Sequence, residues 1–441
     1  MINKTLYKLD WKFFIPLIVL IGIGLISVYS ACTKYETVKY FVTQLISCLL
    51  GSLACFFLSK CHYQMYKKFS VLIYIISLLL LCSVLIFGTL KRGTKGWLNL
   101  GLISLQPVEI AKIMFILAIS AFFDKNWKQA NHIYFLIISL MLLSGHVMLI
   151  MLQPDFSSTL SYFPIMMILF FVIGVKCFYL LCIVLLVVIT IGIPLLKTFT
   201  LMYVEHFNKN TLLTNVLTFC QNINVRLVTA LIIFILLLII WWVLHKLKIK
   251  FSISYPIILG CTFILGNILA IPVDNSLKNY QKKRFIVFLN PKIDSKGFGY
   301  NIIQSKIAIG SGQFVGKGLR RGTQTQLGFL PEQHTDFIFS LIGEEGGWIM
   351  AQCTIIFYLI FIWRILLIAK ESKDLYGSLV AIGFATMFMF YAVINIGMTM
   401  GLMPVTGMPL LLISYGGSSM VSSLCAVGIL RSIYSQSHDY Y

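Results

Sequence analysis

Gly322-Thr323-Gln324-Thr325-Gln326-Leu327-Gly328-Phe329-Leu330-Pro331-Glu332-Gln333-His334-Thr335-Asp336-Phe337 runs straight into an apolar stretch, 337–362, and this junction decides the fold. The apolar stretch is long enough to cross a hydrocarbon core as one helix. The polar segment ends on a carboxylate, Asp336, where that helix would meet water. Ionisable groups at such a boundary are expensive and mark a site. Pro409-Leu410-Leu411-Leu412-Ile413-Ser414-Tyr415-Gly416-Gly417-Ser418-Ser419 repeats the pattern, with helix breakers and hydroxyls set against apolar residues.

Outward from this junction, apolar runs of about 17–22 residues, the spanning length, recur along the whole chain. They lie near 13–29, 40–58, 70–89, 108–123, 133–151, 158–174, 177–196, 228–245, 253–272, 337–362, 376–397 and 408–430. The sequence predicts an all-α polytopic membrane protein of about twelve transmembrane helices, a single integral domain over 1–441. A composition of 59% hydrophobic and 11% charged residues excludes one soluble core. The first run has no small-residue cleavage site and reads as a retained span. The eleven cysteines make no CxxC or metal spacing and read as small core hydrophobes.

The basic loops set the orientation. Lys4, Lys8 and Lys12, then Lys60, Lys67 and Lys68, then Lys125 and Lys128, then Lys246, Lys248 and Lys250, then Arg364, Lys370 and Lys373 all fall on one side. That side is the cytoplasm, with both termini in it, and the loop 273–336 before the tenth span is external. The loop is basic against the usual tendency: Lys282, Lys283, Arg284, Lys292, Lys296, Lys306, Lys317, Arg320 and Arg321 lie in it. A headgroup-facing surface and recognition of an anionic substrate both account for it. Within it, Tyr300 to Ile309 reads as an interfacial helix, and Gly310, Gly312, Gly316 and Gly318 as a flexible, turn-rich segment. The net charge of +20 does not imply nucleic acid, since no soluble basic domain exists to bind it.

Several groups carry candidate chemistry. Trp97, closing Lys91-Arg92-Gly93-Thr94-Lys95-Gly96-Trp97, is a headgroup anchor or a substrate contact. In Gln106-Pro107-Val108-Glu109-Ile110-Ala111-Lys112, proline opens a helix. Glu109 and Lys112 share a face there, either as a mutual ion pair or beside a phosphate and a cation. Asp155, after Gln153-Pro154, reads as an N-cap. Thr335 or Asp336 suits the same role, but a carboxylate beside a basic external loop also serves as a general base. Glu344 and Glu345 lie deeper among Gly343, Gly346 and Gly347 and need an internal polar network, for which Asn395, Thr399 and Ser414 are candidate partners. His334 lacks a second His or Cys at zinc spacing, and no metal site is expected. P-loop, GxSxG and HExxH patterns are missing from the sequence.

These segments resemble the SEDS family of bacterial cell-wall polymerases (shape, elongation, division and sporulation). The resemblance is carried by Val28-Tyr29-Ser30-Ala31, Gly93 to Trp97, Gln106 to Lys112, Gln153 to Asp155, Tyr280 to Pro291, Gly299 to Gly318, Gly322 to Phe339 and Gly401 to Ser419. Gly322 to Gln326 before Leu330-Pro331-Glu332 looks like the elongation (RodA) branch, not the division (FtsW) branch. The resemblance implies a peptidoglycan glycosyltransferase that polymerises lipid II at the outer face of the bacterial cytoplasmic (inner) membrane. It also implies a class B penicillin-binding protein as crosslinking partner. Asp336 matches the family's essential aspartate, Glu109 and Lys112 its acidic–basic pair, and Trp97 its essential tryptophan. Arg284 and Lys306 join Lys112 as candidates to neutralise a pyrophosphate leaving group, and His334 stands with the substrate-binding residues. A divalent cation (Mg2+ or Mn2+) near Glu109 is compatible with this chemistry. Gly96, Val108 and Ser157 depart from the family pattern. The twelve spans also exceed its ten, which leaves 197–252 as an inserted segment of about two crossings. The rival readings are a lipid II flippase, which would spread polar groups along the whole crossing, and a non-catalytic scaffold of the elongation or division machinery.

Overall fold

The structure, a computed structural model, describes residues 10–32, 35–91, 94–99, 104–207, 211–249, 252–289 and 297–437. Lys4, Lys8, Arg92, Gly93, Lys250, Lys292 and Lys296 lie outside them. The chain forms two compact units, Met1–Gly174 with Tyr300–Tyr441, and Val175–Gly299.

In the first unit, α1 (Trp11–Ala31), α2 (Tyr35–Lys60), a short α3 (Tyr63–Lys68) and α4 (Ser70–Phe87) lead to three antiparallel strands. These are β1 (Thr89–Lys91), β2 (Thr94–Asn99) and β3 (Ser104–Leu105), in the order β1-β2-β3, with Thr89 opposite Trp97 and Leu98 opposite Leu105. The segment that carries Trp97 is thus a small sheet, which pairs backbone groups that a loop beside lipid could not leave bare. Next come α5 (Pro107–Asn126), α6 (Ile133–Leu152) and α7 (Phe156–Val172). The second unit holds α8 (Cys177–Phe207), α9 (Thr211–Gln221), α10 (Ile223–Lys246), α11 (Ser254–Ser276) and α12 (Asn279–Leu289). The chain continues through α13 (Phe298–Ser311), α14 (Thr323–Gln326), α15 (Ile338–Glu371), α16 (Leu375–Thr399) and α17 (Gly417–Ser437).

Among the described residues, nine helices are long and apolar enough to cross a membrane. The shorter α7 and the more polar α5 and α17 occupy the remaining expected spans. Several boundaries differ from the expectation, among them the end of the helix expected over 337–362, which runs on to Glu371. The helix expected to end at 196 runs on to Phe207, and that expected to end at 272 continues to Ser276 across Pro272. The last helix begins at Gly417 and not at 408, because Gly407 and Leu412 adopt left-handed backbone (φ 82° and 69°) and break any helix there.

The core of the first unit is α16 and α5. Phe115, Phe384, Phe388 and Tyr391 are fully or almost fully enclosed, whereas α4 turns Leu72, Leu79 and Ile86 outward, as a lipid-facing helix must. Helix α15 breaks at Gly347 (φ 67°, ψ −166°). The break frees backbone groups, and the glycine-rich segment 312–318 takes them up. Lys317 N and Gly318 N donate to the carbonyls of Glu344 (3.0 Å) and Glu345 (2.9 Å), while Trp348 N donates to Gln313 O (2.9 Å). Such contact needs bare backbones: a Cβ on Gly312 would stand 2.0 Å from the Gly343 carbonyl oxygen. The segment read as flexible is therefore a seal packed on a helix break.

Candidate active site

The two quoted segments meet. Ser414 Oγ donates to Thr335 O (2.7 Å), Tyr415 N donates to His334 O (2.9 Å), and Asn395 Nδ2 donates to Asp336 O (2.9 Å) and Met408 O (2.7 Å). Gln44 of α2 adds two further ties, Nε2 to Ser414 O (3.2 Å) and Oε1 from Gly416 N (3.1 Å). Asp336 itself is half-exposed at the mouth of α15. The N-cap of α15 is Phe337, with no side-chain capping bond, so neither Thr335 nor Asp336 caps it. Left-handed Glu332 (φ 53°) and Leu412 stand on either side of this junction. Strain of this kind persists only where surrounding contacts hold it.

The segment after α16 also reaches two other helix starts. Gln106 N, at the N-cap of α5, donates to Ser418 Oγ (2.7 Å), and Ser157 of α7 donates to Thr406 O. Asp155 is the N-cap of α7, as expected: Oδ1 accepts from Ser158 N (3.0 Å), and Oδ2 from Ser158 Oγ (2.7 Å) and Gln106 Nε2 (3.0 Å). One turn into α5, Lys112 Nζ lies 3.2 Å from Glu109 Oε2, the mutual pair that the spacing allowed. Both are buried, Lys112 completely. Lys112 also contacts the Tyr391 hydroxyl and lies 4.4 Å from that ring's centroid. Tyr391 donates in turn to Glu109 Oε1 (3.4 Å). A buried ion pair costs desolvation that only such added partners offset.

Glu344 and Glu345 do not use Asn395, Thr399 or Ser414. The Glu344 carboxylate accepts from Lys317 Nζ (2.8 Å), Gln324 N (2.9 Å), Thr325 N (3.0 Å), Thr325 Oγ1 (2.9 Å) and Thr323 Oγ1 (3.2 Å). The Gly322–Gln326 motif is thus a nest of donors closed around one carboxylate. Glu345 accepts from Ser30 Oγ (2.5 Å) and Gln326 Nε2 (2.9 Å), which ties α1 to the same motif. Arg320 lies over the Tyr29 ring, 4.1 Å from the centroid, and donates to Tyr29 O and Cys32 O (both 3.3 Å). Asn395 and Ser414 serve the Asp336 junction instead, and Thr399 O accepts from Ser305 Oγ (2.6 Å).

Of the remaining expected residues, Trp97 sits half-exposed on β2, its carbonyl accepting from Thr89 Oγ1 (3.0 Å). The His334 ring stacks on Tyr40 (centroids 4.9 Å apart, planes 10° apart), with Nε2 3.9 Å from Glu332 Oε2. Lys306 is exposed on α13, and its ammonium lies against Gly401, where an added Cβ would stand 2.6 Å from Nζ. Arg284 belongs to the second unit, its guanidinium 5.6 Å from the Tyr280 ring centroid. Among the described residues no group of three or more His, Cys, Asp or Glu could hold a metal ion. Tyr391, Gln44 and Tyr40 are not among the residues expected from sequence, and Lys317 is expected only as one charge of the basic loop. Tyr391 was within reach: with Asn395 and Thr399 it forms a polar stripe at i, i+4, i+8 in an apolar run.

A family model described as "Cell cycle protein", for FtsW, RodA and SpoVE, matches residues 10–222 and 208–439. Peptidoglycan glycosyltransferase RodA of Treponema pallidum is 32% identical over 435 residues, covering 96% of this chain and 97% of that one. Peptidoglycan glycosyltransferase MrdB of Escherichia coli K12 is 29% identical over 84% of this chain and 79% of its own. Among solved structures, a chain of a peptidoglycan synthase complex that coordinates polymerization and crosslinking superposes with a TM-score of 0.66, 24% identity and 98% of both chains covered. Rod shape determining protein RodA of Thermus thermophilus does so with a TM-score of 0.58, 20% identity and 97% of both chains covered. These two likenesses establish the fold.

Proposed function

The chain belongs to the FtsW/RodA/SpoVE family of multi-pass membrane proteins, and we propose that its site polymerises lipid II into glycan strands. It is a peptidoglycan glycosyltransferase of cell elongation and cell shape, as its relatives' names have it. The observation that carries the proposed reaction is the gathering of three helix mouths by one segment. Residues 406–418 hold the Asp336 turn, the Gln106 start of α5 and the Ser157 start of α7 through hydrogen bonds.

In this reading Asp336 accepts the proton of the acceptor sugar hydroxyl. The hydroxyl oxygen then bonds to the anomeric carbon of the donor, and the bond to pyrophosphate breaks with its electron pair leaving on the phosphate oxygen. In-line attack inverts the anomeric centre and gives a β-1,4 linkage from an α-linked donor. Exposed Lys306 supplies positive charge for the leaving pyrophosphate. Lys112 is enclosed beneath Glu109 and Tyr391 and acts through that pair, fixing the carboxylate's position. A divalent cation at Glu109 would draw most of its ligands from the pyrophosphate and water, and no step here runs through it. Trp97 and His334 are offered as contacts to the sugar and lipid carrier. A class B penicillin-binding protein is the proposed crosslinking partner, and the termini are placed in the cytoplasm on the lysine pattern. The test is purified protein with labelled lipid II, with and without that partner. Glycan ladders bear out the polymerase; leaflet exchange without ladders points to a flippase, and neither result to a scaffold.

A further inference from the structure

The second unit holds charges that this reaction does not use. Asp274, near the end of α11, meets two lysines. Lys197 Nζ is 2.7 Å from Oδ2, and Lys282 contacts Oδ1 while donating to the Asp274 carbonyl at 2.8 Å. One carboxylate is thus shared by two ammonium groups. Arg226 stands in the first turn of α10, the fourth residue after the N-cap Asn222. It is only 5% exposed, and among the described residues its Nε and Nη1 have no hydrogen-bond partner. The position is adverse twice over. A cation sits at the positive end of a helix, and a guanidinium is buried with two donors unmet.

The Cys220 thiol on α9 lies within the electrostatic reach of two of these charges. Burial raises its pKa, and the charges of both Arg226 and Lys197 pull it back down. Chain geometry agrees. Helices α10 and α11 are joined by a short connection at the Lys246–Ser254 end, so the start of α10 and the end of α11 share the opposite end. Among the described residues, three cations stand against one carboxylate, an excess of two positive charges. Around it, α10 exposes Leu231, Ile235, Leu236, Ile239 and Ile240, the surface of a helix in contact with lipid.

We propose that Arg226, Lys197 and Lys282 form an anion site in the second unit that binds a phosphate group. Arg226 would supply the paired N–H donors that suit phosphate oxygens, and the lysines the charge. An anionic phospholipid headgroup and a free phosphate species share this chemistry, and the test separates them. The site makes no use of Asp336 and stands apart from the polymerase reading.

The test reads binding, not polymerisation. The full-length chain is exchanged into nanodiscs of phosphatidylcholine alone, and anion is then supplied in two arms, phosphatidylglycerol and inorganic phosphate. Native mass spectrometry counts retained adducts, and the thermal midpoint reports stabilisation. The wild type is expected to retain phosphatidylglycerol over phosphatidylcholine, or to be stabilised by phosphate, and the arm that responds names the source. Arg226→Met should weaken that response about ten- to a hundredfold, the loss of one or two charge-assisted bonds. Without anion it should unfold no earlier than the wild type, because the unpaired charge is gone. Should Arg226→Met fail to insert, Lys197→Gln and Lys282→Gln carry the same comparison. Equal retention of both lipids with no effect of phosphate, or unchanged binding in every variant that inserts, overturns the proposal.

Discussion

Ser414 donates its hydroxyl hydrogen to the carbonyl of Thr335, 2.7 Å away and 79 residues earlier in the chain. The same oxygen accepts from Leu410 N (2.8 Å), so one side chain closes its own turn and grips the residue before Asp336. Asn395 does the like from α16, holding Asp336 O and Met408 O with one amide. A carboxylate on a turn is thereby fixed by two helix-borne or turn-borne polar groups, the kind of support that placing a reacting group demands.

Ser414→Ala removes both bonds and leaves two backbone groups unpaired in a buried place, at about 1–3 kcal/mol each. The larger effect is expected on rate, because a shift of about 1 Å in a reacting group costs on the order of a hundredfold. Ser414→Thr keeps the hydroxyl and should recover most of the loss. Polymerisation rate and thermal midpoint, measured together on purified protein, decide the matter. A lowered midpoint with an unchanged rate would mean that Ser414 only stabilises the fold.

Glu344→Gln places an amide N–H2 among donors that now converge on a carboxylate. The expected cost is about 3–5 kcal/mol, typical of breaking a buried charged network. Thr323→Val removes the 3.2 Å bond to Glu344 and the 2.7 Å bond that Oγ1 accepts from Lys317 Nζ, and should cost about 1–2 kcal/mol. Thermal unfolding in detergent measures both. Limited proteolysis should show new cleavage within 312–326 in Glu344→Gln alone. Equal stability of the two variants would contradict the nest.

The spans were legible because lipid imposes one requirement, about twenty apolar residues in a row. Asp155 was legible as a cap because that bond is local, made to Ser158 three residues on. Glu344 was not, because its partners include the backbone N–H groups of Gln324 and Thr325, which every residue but proline possesses and no composition betrays. The bond from Ser30 to Glu345 crosses 315 residues, beyond any spacing rule. The stripe Tyr391, Asn395 and Thr399 marks one face of α16 in the sequence, but the pairing of Tyr391 with Lys112, 279 residues earlier, is visible only in the fold.

The lysine pattern predicts sidedness, and two positions in the first unit report it. Leu327, 70% exposed, follows the Gly322–Gln326 motif, and the exposed Cys61 follows the lysine that ends α2. A membrane-impermeant thiol reagent on intact spheroplasts should label Leu327→Cys and leave Cys61 untouched until the membrane is opened. Labelling of both, or of Cys61 first, would remove the external placement of the Asp336 turn.

Asp336→Asn separates chemistry from structure at the proposed general base. The substitution keeps the side chain's size, and it keeps the backbone carbonyl that Asn395 holds at 2.9 Å. It leaves the N-cap residue of α15, Phe337, in place. What it removes is a carboxylate able to take a proton. Loss of a general base typically slows a reaction by about 10²–10⁴-fold, so glycan polymerisation should fall by that much while the thermal midpoint stays near the wild-type value. Lipid II binding should also persist, since the basic side chains are untouched. Polymerisation within a few-fold of wild type, measured at matched lipid II on correctly inserted protein, would sink the assignment. Glu109 would then be the next carboxylate to test, and its contact with Lys112 and Tyr391 makes the contrast sharp. A buried, ion-paired carboxylate must first give up its partner before it can accept a proton.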